Sequence, residues 1–192
     1  MSAITISRQM GSQGDELAGQ VAGLLGWRQV SRDLINQAAV AAGVPQVALA
    51  EIDELGFFGL RPSARDWRAY QCQVEGLISV LADVGDVVIV GRGGQMALRG
   101  RPDVLHVRVV APLATRIARL QQEQHISAEA ARACLEASQK ARARYLRRAY
   151  GVNVDDPVLY HVVINTGLLD LAQAAGLVVQ ALRDVVARPL DS

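Results

Sequence analysis

Residues 4–19, "ITISRQMGSQGDELAG", pass from alternating β-branched positions into two glycines and then into a helical pattern. Residues 3–7 alternate as a strand does, and beyond Gly14 the residues Leu17, Val21 and Leu24 or Leu25 recur at helical spacing, with Gly26 as the C-cap. A strand, a glycine-turned loop and a helix in that order form a layout suited to phosphate. Glycines let the backbone approach an anion, and a helix N-terminus presents N–H groups that have no partner inside the helix. The lysine-bearing pattern Gly-x-x-x-x-Gly-Lys-Ser/Thr is not met: with Gly14 as its last glycine, Asp15 takes the lysine position and Glu16 the hydroxyl position. On spacing alone an ordinary strand-to-helix turn is an equal reading. Arg8 shifts the balance, because an arginine at the strand end inside the loop can give phosphate oxygens a bidentate contact. Asp15 and Glu16 suit a helix N-terminus electrostatically, and they would repel a bare triphosphate unless Mg²⁺ intervened.

Outward from that stretch, strand and helix patterns alternate. "WRQVS" reads as a short second strand, and Ser31 as the N-cap of a helix "RDLINQAAVAAG" closed by Gly43 and Pro45. A third helix is expected over 46–55, a loop with Phe57 and Phe58 over 56–63, and a long amphipathic helix over 64–84 with Trp67, Cys72, Val74, Leu77, Ile78 and Leu81 inward. "DVVIVGRGG" is an apolar run of strand length that stops at glycines, as a central strand covered on both faces would. "DVLHVRVV" at 103–110 is a fourth strand, followed by helices over 112–123 and from Ser127 to about Tyr150. "YHVVINT" is the last strand, and 168–187 the last helix. Strands separated by helices, with no hairpin dipeptides, predict a parallel sheet covered on both faces. Ligands of such sheets sit beyond the carboxyl ends of the strands, which singles out residues 7–14, 31–33, 91–94, Ala111 and 165–167.

Two further cationic features stand at those places. Arg92 follows the third strand between glycines that leave space above it, a position that favours anion binding over a purely structural arginine. Lys140, Arg144 and Arg147 or Arg148 share one side of a helix, and Arg142 lies between them; that strip could close over phosphates or be a solvated face. Arg116 and Arg119 carry the same two readings. His106, His125 and His161 show no ligand spacing.

Composition limits what else the chain can be. Its 192 residues, 51% hydrophobic, suffice for one full core. A formal charge of +1 lacks the basic excess of a nucleic-acid or anionic-membrane partner. Cys72 and Cys134 lie outside any metal spacing and read as free, buried thiols of a reducing compartment. The N-terminus shows no signal-peptide pattern, and no apolar run nears the ~20 residues of a membrane span, so a cytoplasmic protein is expected. Lys140 is the only lysine beside nineteen arginines, which removes lysine from most candidate sites. The Phe57–Phe58 loop and the helix with Trp67 and Tyr70 are the segments expected to supply a homodimer contact.

With these positions in view, the chain resembles the cytidylate kinase-like family of P-loop nucleoside monophosphate kinases. The resemblance rests on "ITISRQMGSQGDELA", "VSRDLI", "VIVGRGG", "HVRVVAPLATRIARL" and "ARARYLRRAYGVNVDDPVLYHVVINT" in that order. It implies a three-layer α/β/α P-loop NTPase fold with a five-stranded parallel sheet over a single domain, residues 1–192. It also implies ATP with Mg²⁺ as phosphoryl donor and CMP, dCMP or a similar nucleotide as acceptor, with no metal ligand assigned. By the same resemblance Ser7, Arg8, Gly11, Ser12, Gln13, Gly14, Asp15 and Glu16 hold the donor. Arg32, Asp33, Arg92 and Gly93 hold the acceptor, within a segment of about 31–84. Arg142, Arg144 and Arg148 belong to a lid helix of about 127–150 and act with Arg8 in catalysis, where phosphoryl transfer needs positive charge and exclusion of water. The chain departs from relatives of the type "GSGGREIA" at Gln13, where they have glycine, and at Asp15, where they have a basic residue; Gln139 stands where they carry aspartate. A degenerate phosphate loop that binds nucleotide for regulation or interaction, without turnover, is the alternative.

Overall fold

The structure is a computed structural model that describes residues 2–41 and 63–186. The closure of the second helix by Gly43 and Pro45, the helix expected over 46–55 and the Phe57–Phe58 loop lie outside the described residues. Five strands, β1 (Ala3–Arg8), β2 (Arg28–Val30), β3 (Val87–Val90), β4 (Val104–Val110) and β5 (Val162–Asn165), make one parallel sheet in the order β2-β3-β1-β4-β5. The central strand is therefore β1, not β3 as its run of valines suggested; β3 lies between β2 and β1 and is covered on both faces all the same. Registers such as Ile6 with Val90, Arg8 with Val109 and Val110 with Asn165 bring the carboxyl ends of the strands to one side.

Side-chain alternation along β1 sorts the layers. Ile4 and Ile6 point to the face covered by α1 (Gly14–Leu25) and α7 (Leu171–Val186), where they pack with Leu17, Val21 and Val178. Each fully buried Ile or Leu contributes roughly 1.5–3 kcal/mol. The other face is covered by α2 (Arg32–Ala41), α3 (Ala64–Val84) and a single turn, α4 (Gly94–Ala97), that the sequence pattern did not announce. Beyond the strand ends lie α5 (Leu113–Gln124) and α6 (Ala128–Tyr150), joined through Leu120, Ala131 and Leu135, with Met10 of the first loop against them. Ser127 caps α6, its Oγ accepting from the Ala130 N–H at 3.2 Å. Among the described residues no helix is long and apolar enough to cross a membrane.

Two expectations about α3 change with its helical phase. The buried stripe is Trp67, Tyr70, Val74, Ile78 and Ala82, so Trp67 and Tyr70 are core residues, and any dimer contact of this helix would use its outer face. Cys72, two positions beyond Tyr70, faces outward, and Cys134 is half-buried, so the two thiols are free but not buried.

The α3-side face of β4 carries polar groups inside the core. His106 Nδ1 lies 2.7 Å from Thr5 Oγ1, and its ring stacks on His161 at 5.0 Å between centroids. Burial, reinforced by His161, lowers the His106 pKa from 6.5 to about 4. An unfolded chain takes up this proton as pH falls from 6.5 toward 4 and the folded chain does not, so stability present above pH 6.5 is lost across that window and levels off below it. The expected loss reaches roughly 3 kcal/mol at most. Denaturant midpoints at pH 7, 5.5 and 4.5 measure it, and the His106→Gln variant should lose most of the slope.

Candidate functional site

The loop after β1 is held from beneath. Ser12 Oγ donates to the carbonyls of Gln9 at 2.7 Å and Val109 at 3.3 Å, and Thr166 Oγ1, just past β5, donates to the Ser12 carbonyl at 2.7 Å. Arg119 on α5 donates to the Gly11 carbonyl at 3.3 Å and to the Thr166 carbonyl at 2.7 Å. Because C=O and the next N–H point opposite ways across a trans peptide, anchoring the Ser12 carbonyl inward turns the Gln13 N–H outward. Gly11 and Gln13 take left-handed backbone, φ 73° and 57°. For Gln13 this costs on the order of 1 kcal/mol that a glycine would not incur. The first intrahelical bond of α1 runs from the Leu17 N–H to the Gln13 carbonyl at 3.0 Å, so the N–H groups of Gly14, Asp15 and Glu16 face the same opening. Backbone donors thus converge on one opening, a cradle of a form that suits an anion.

Arg8, the last residue of β1, leans over this cradle. Its Nε donates to Asp15 Oδ2 at 3.0 Å and its Nη2 to Asp15 Oδ1 at 3.2 Å, with side-chain exposures of 11% and 54%. A Cβ on Gly14 would lie 2.4 Å from Arg8 Cβ, and one on Gly91 3.1 Å from Arg8 Nη1, so the arginine passes between two glycines that leave it room.

The crest of β3 lies on the far side of Arg8. Gly91, Arg92 and Gly93 are all left-handed, with φ of 82°, 54° and 70°, and Arg92 is buried. The Arg92 carbonyl accepts from Tyr145 Oη on α6 at 3.3 Å. A Cβ on Gly93 would meet the Tyr150 ring at 2.8 Å. Burial, with Glu75 adding to it, pushes the phenols of Tyr145 and Tyr150 well above their ordinary range, so both stay neutral donors at physiological pH. Ser7 Oγ accepts from Arg108 at 2.8 Å, and the other Nη of Arg108 donates to Asp155 at 2.9 Å. Tyr160 donates to the Val154 carbonyl at 2.8 Å, so the chain leaving α6 is pinned beneath the site.

Two clefts open here. One runs along the loop from Arg8 to Glu16 toward Arg119 and Glu123, and its volume of about 690 Å³ falls within the roughly 300–1,000 Å³ of small-molecule sites. The other lies between Ser7, Arg92, Gln95 and Tyr145. Arg8, Arg32 and Arg142 line both, so positive charge concentrates where the clefts meet.

The expected residues do not all gather here. Ser7, Arg92 and Gly93 face the second cleft, and Gly11, Gln13, Gly14, Asp15 and Glu16 the first, whereas Ser12 turns its hydroxyl inward. Asp33 is exposed and pairs with Arg32 at 3.3 Å. Of the three α6 arginines expected to act together, only Arg142 reaches the clefts. Arg144 is exposed, and Arg148 lies over the Trp67 ring at 4.1 Å. Two residues along a helix is about 200° of rotation and six about 240°, so neither can share the Arg142 face. Tyr145, at the three-residue spacing that does share it, was the residue to pair with Arg142. Arg119 and Thr166 serve as braces of the loop; the sequence marked Thr166 as a strand-end position and Arg119 as a cation with two readings, but gave neither this role.

The profile of the cytidylate kinase-like family matches residues 3–168. A cytidylate kinase from Methanosarcina acetivorans is 33% identical over 90 residues, 46% of this chain and 49% of that protein. A uronate isomerase from Corynebacterium glutamicum is 24% identical over 150 residues, 78% of this chain and 29% of the isomerase, so each match spans under half of the curated relative. Among solved structures, an uncharacterised protein from Eubacterium ventriosum aligns over 95% of this chain and 98% of its own, at 17% identity and a TM-score of 0.76. Shikimate kinase from Acinetobacter baumannii aligns over 98% and 96%, at 14% identity and a TM-score of 0.57. A gluconokinase from Sinorhizobium meliloti aligns over 96% and 93%, at 13% identity and the same TM-score. At these identities the likeness is one of fold, a three-layer P-loop kinase fold.

Proposed function

Since the chain belongs to the cytidylate kinase-like family, we propose that it moves the γ-phosphoryl group of ATP, with Mg²⁺, onto the phosphate of a nucleoside monophosphate such as CMP or dCMP. One observation carries this reading: two clefts meet at Arg8, Arg32 and Arg142. A phosphoryl group in transit between two phosphates needs cations around its equatorial oxygens and little else, and no side-chain nucleophile.

In this reading the outward N–H groups of residues 13–16 bind the donor phosphates, as their anchored carbonyls dispose them to do. Arg92 binds the acceptor phosphate, and Tyr145 holds the left-handed turn that carries it. Arg8 and Arg142 flank the group transferred, and α6 acts as a lid that excludes water. The cradle fits a polyphosphate, and the carboxylate of Glu16 at its mouth fits the few protein oxygens that Mg²⁺ takes in nucleotide sites. Bound there, the ion would neutralise phosphate charge. The whole chain would act as one kinase domain, with nucleotides as its small-molecule partners and the cytoplasm as its compartment.

The test is coupled ADP release with MgATP across CMP, dCMP, UMP and AMP, with shikimate and gluconate as controls for fold alone. Turnover with a monophosphate and none with the controls supports the reading. Asp15 at the lysine position favours a second one, nucleotide binding without transfer; thermal stabilisation by ATP with no product would select it.

Arg92 offers a check that separates strain from chemistry. Glycine takes a φ of 54° freely, so Arg92→Gly should exceed Arg92→Ala in stability by about 1 kcal/mol. Both should raise the acceptor KM at least about tenfold, the scale of a lost charge-assisted hydrogen bond. Urea unfolding and steady-state kinetics on the two variants measure this.

A further inference from the structure

Resting on the phosphotransferase reading, we propose that Asp15 is a positioning residue: it holds one edge of the Arg8 guanidinium so that the opposite edge is presented to phosphate at the junction of the two clefts. A guanidinium has two edges on which it can bind an oxyanion as a fork. Asp15 takes the side-on edge, Nε at 3.0 Å and Nη2 at 3.2 Å. Nη1 and the second hydrogen of Nη2 form the end-on edge, and Nη1 lies beside Gly91 at the crest of β3.

Three other contacts give the arrangement its rigidity. The stem of Arg8 crosses Gly14 where a Cβ would stand 2.4 Å from Arg8 Cβ and 2.7 Å from Arg8 Cγ, so the side chain lies directly on the start of α1. Gln29, from β2, donates to the Asp15 carbonyl at 3.2 Å and ties that residue to the sheet. Arg8 itself is a strand residue, in register with Val109. A long cation with many rotamers is thereby reduced to one orientation, and ordering it before the ligand arrives removes that entropy from the binding step. Asp15 is half-exposed, so its repulsion of a polyphosphate is screened by water, whereas Arg8 is nearly buried. Positioning is therefore the larger of its two opposed effects, and an acid where a lysine is customary serves phosphate binding through its neighbour.

A double-mutant cycle with inorganic tripolyphosphate tests this by calorimetry, because that probe needs neither base nor acceptor. The proteins are the parent, Asp15→Ala, Arg8→Ala and the double variant, with melting curves confirming that each is folded. Asp15→Ala is expected to weaken tripolyphosphate about five- to tenfold when Arg8 is present and not to weaken it when Arg8 is alanine. Asp15→Asn keeps one acceptor oxygen and should lose less. With MgATP, Asp15→Ala should lower kcat by more than it raises the ATP KM. Equal or tighter binding by Asp15→Ala in the parent background would overturn the proposal and make Asp15 a competitor for Arg8. Failure of the parent to bind tripolyphosphate would overturn it as well. If the coupling holds and no monophosphate is phosphorylated, the transferase reading fails and this one stands. If turnover is seen without coupling, the reverse holds.

Discussion

Arg8→Ala is expected to lower kcat/KM for phosphoryl transfer by about 10³-fold, the lower end of what a transition-state arginine supplies in such reactions. The lower end applies because Arg32 and Arg142 remain at the junction. The melting temperature should move by only a few degrees. Arg8 gives up a bidentate pair with a carboxylate that is half-exposed, and such pairs are worth roughly 1 kcal/mol or less. Arg8→Lys should recover little of the rate, because an ammonium cannot hold Asp15 with one edge and a phosphate with the other. Coupled ADP release with thermal denaturation measures both quantities. Activity within tenfold of the parent would remove Arg8 from the chemistry.

Gly14→Ala is expected to damage both stability and rate. Its φ is not left-handed, so the glycine is required by space and not by backbone conformation. An added Cβ would sit 2.4 Å from Arg8 Cβ and 3.4 Å from Val109 Cβ. Arg8 Cβ belongs to a strand residue in register with Val109 and cannot withdraw. The start of α1 must then lift from the sheet, at an overpacking cost of about 1–3 kcal/mol. For a chain of this size that is a fall in melting temperature of roughly 2–12 °C. The same displacement moves the N–H groups of residues 14–16 and tilts the Arg8 stem, so kcat/KM should drop about 10²-fold, in line with the penalty for small misplacements at a reacting centre. Gly23→Ala, in the same helix with open space around its Cβ position, is the control: it should be neutral or slightly stabilising. If the two variants behaved alike, the packing argument for Gly14 would fail.

Much of the framework was legible in residue order. The β1–loop–α1 unit falls within a residue of its expected bounds, and so do α5 and α6, since 2.0- and 3.6-residue periodicities and glycine punctuation are local properties. Arg92 was legible for a similar reason. An arginine between two glycines after an apolar strand has no face to cover, and its φ of 54° shows how little of that turn is ordinary. The single-turn helix α4 was not legible, because one turn carries no period. The outward Cys72 and inward Tyr70 were misjudged because a helix with apolar residues around much of its circumference permits two phases, and only the neighbours select one.

By itself the sequence determined the succession of strands and helices, the parallel sheet, the glycine-turned loop at the end of β1, and the presence of arginines after β1 and β3. These follow from short-range backbone preferences and from which side chains exclude water. The tertiary structure alone decided the partners: Asp15 on Arg8, Arg142 and Tyr145 at the clefts while Arg148 stacks on Trp67, and Arg119 and Thr166 beneath the loop. Periodicity states which face a residue occupies on its own element. What stands opposite that face depends on how elements up to about 150 residues apart are stacked, as Thr166 and Ser12 are, and charge attracts in every direction until packing chooses one.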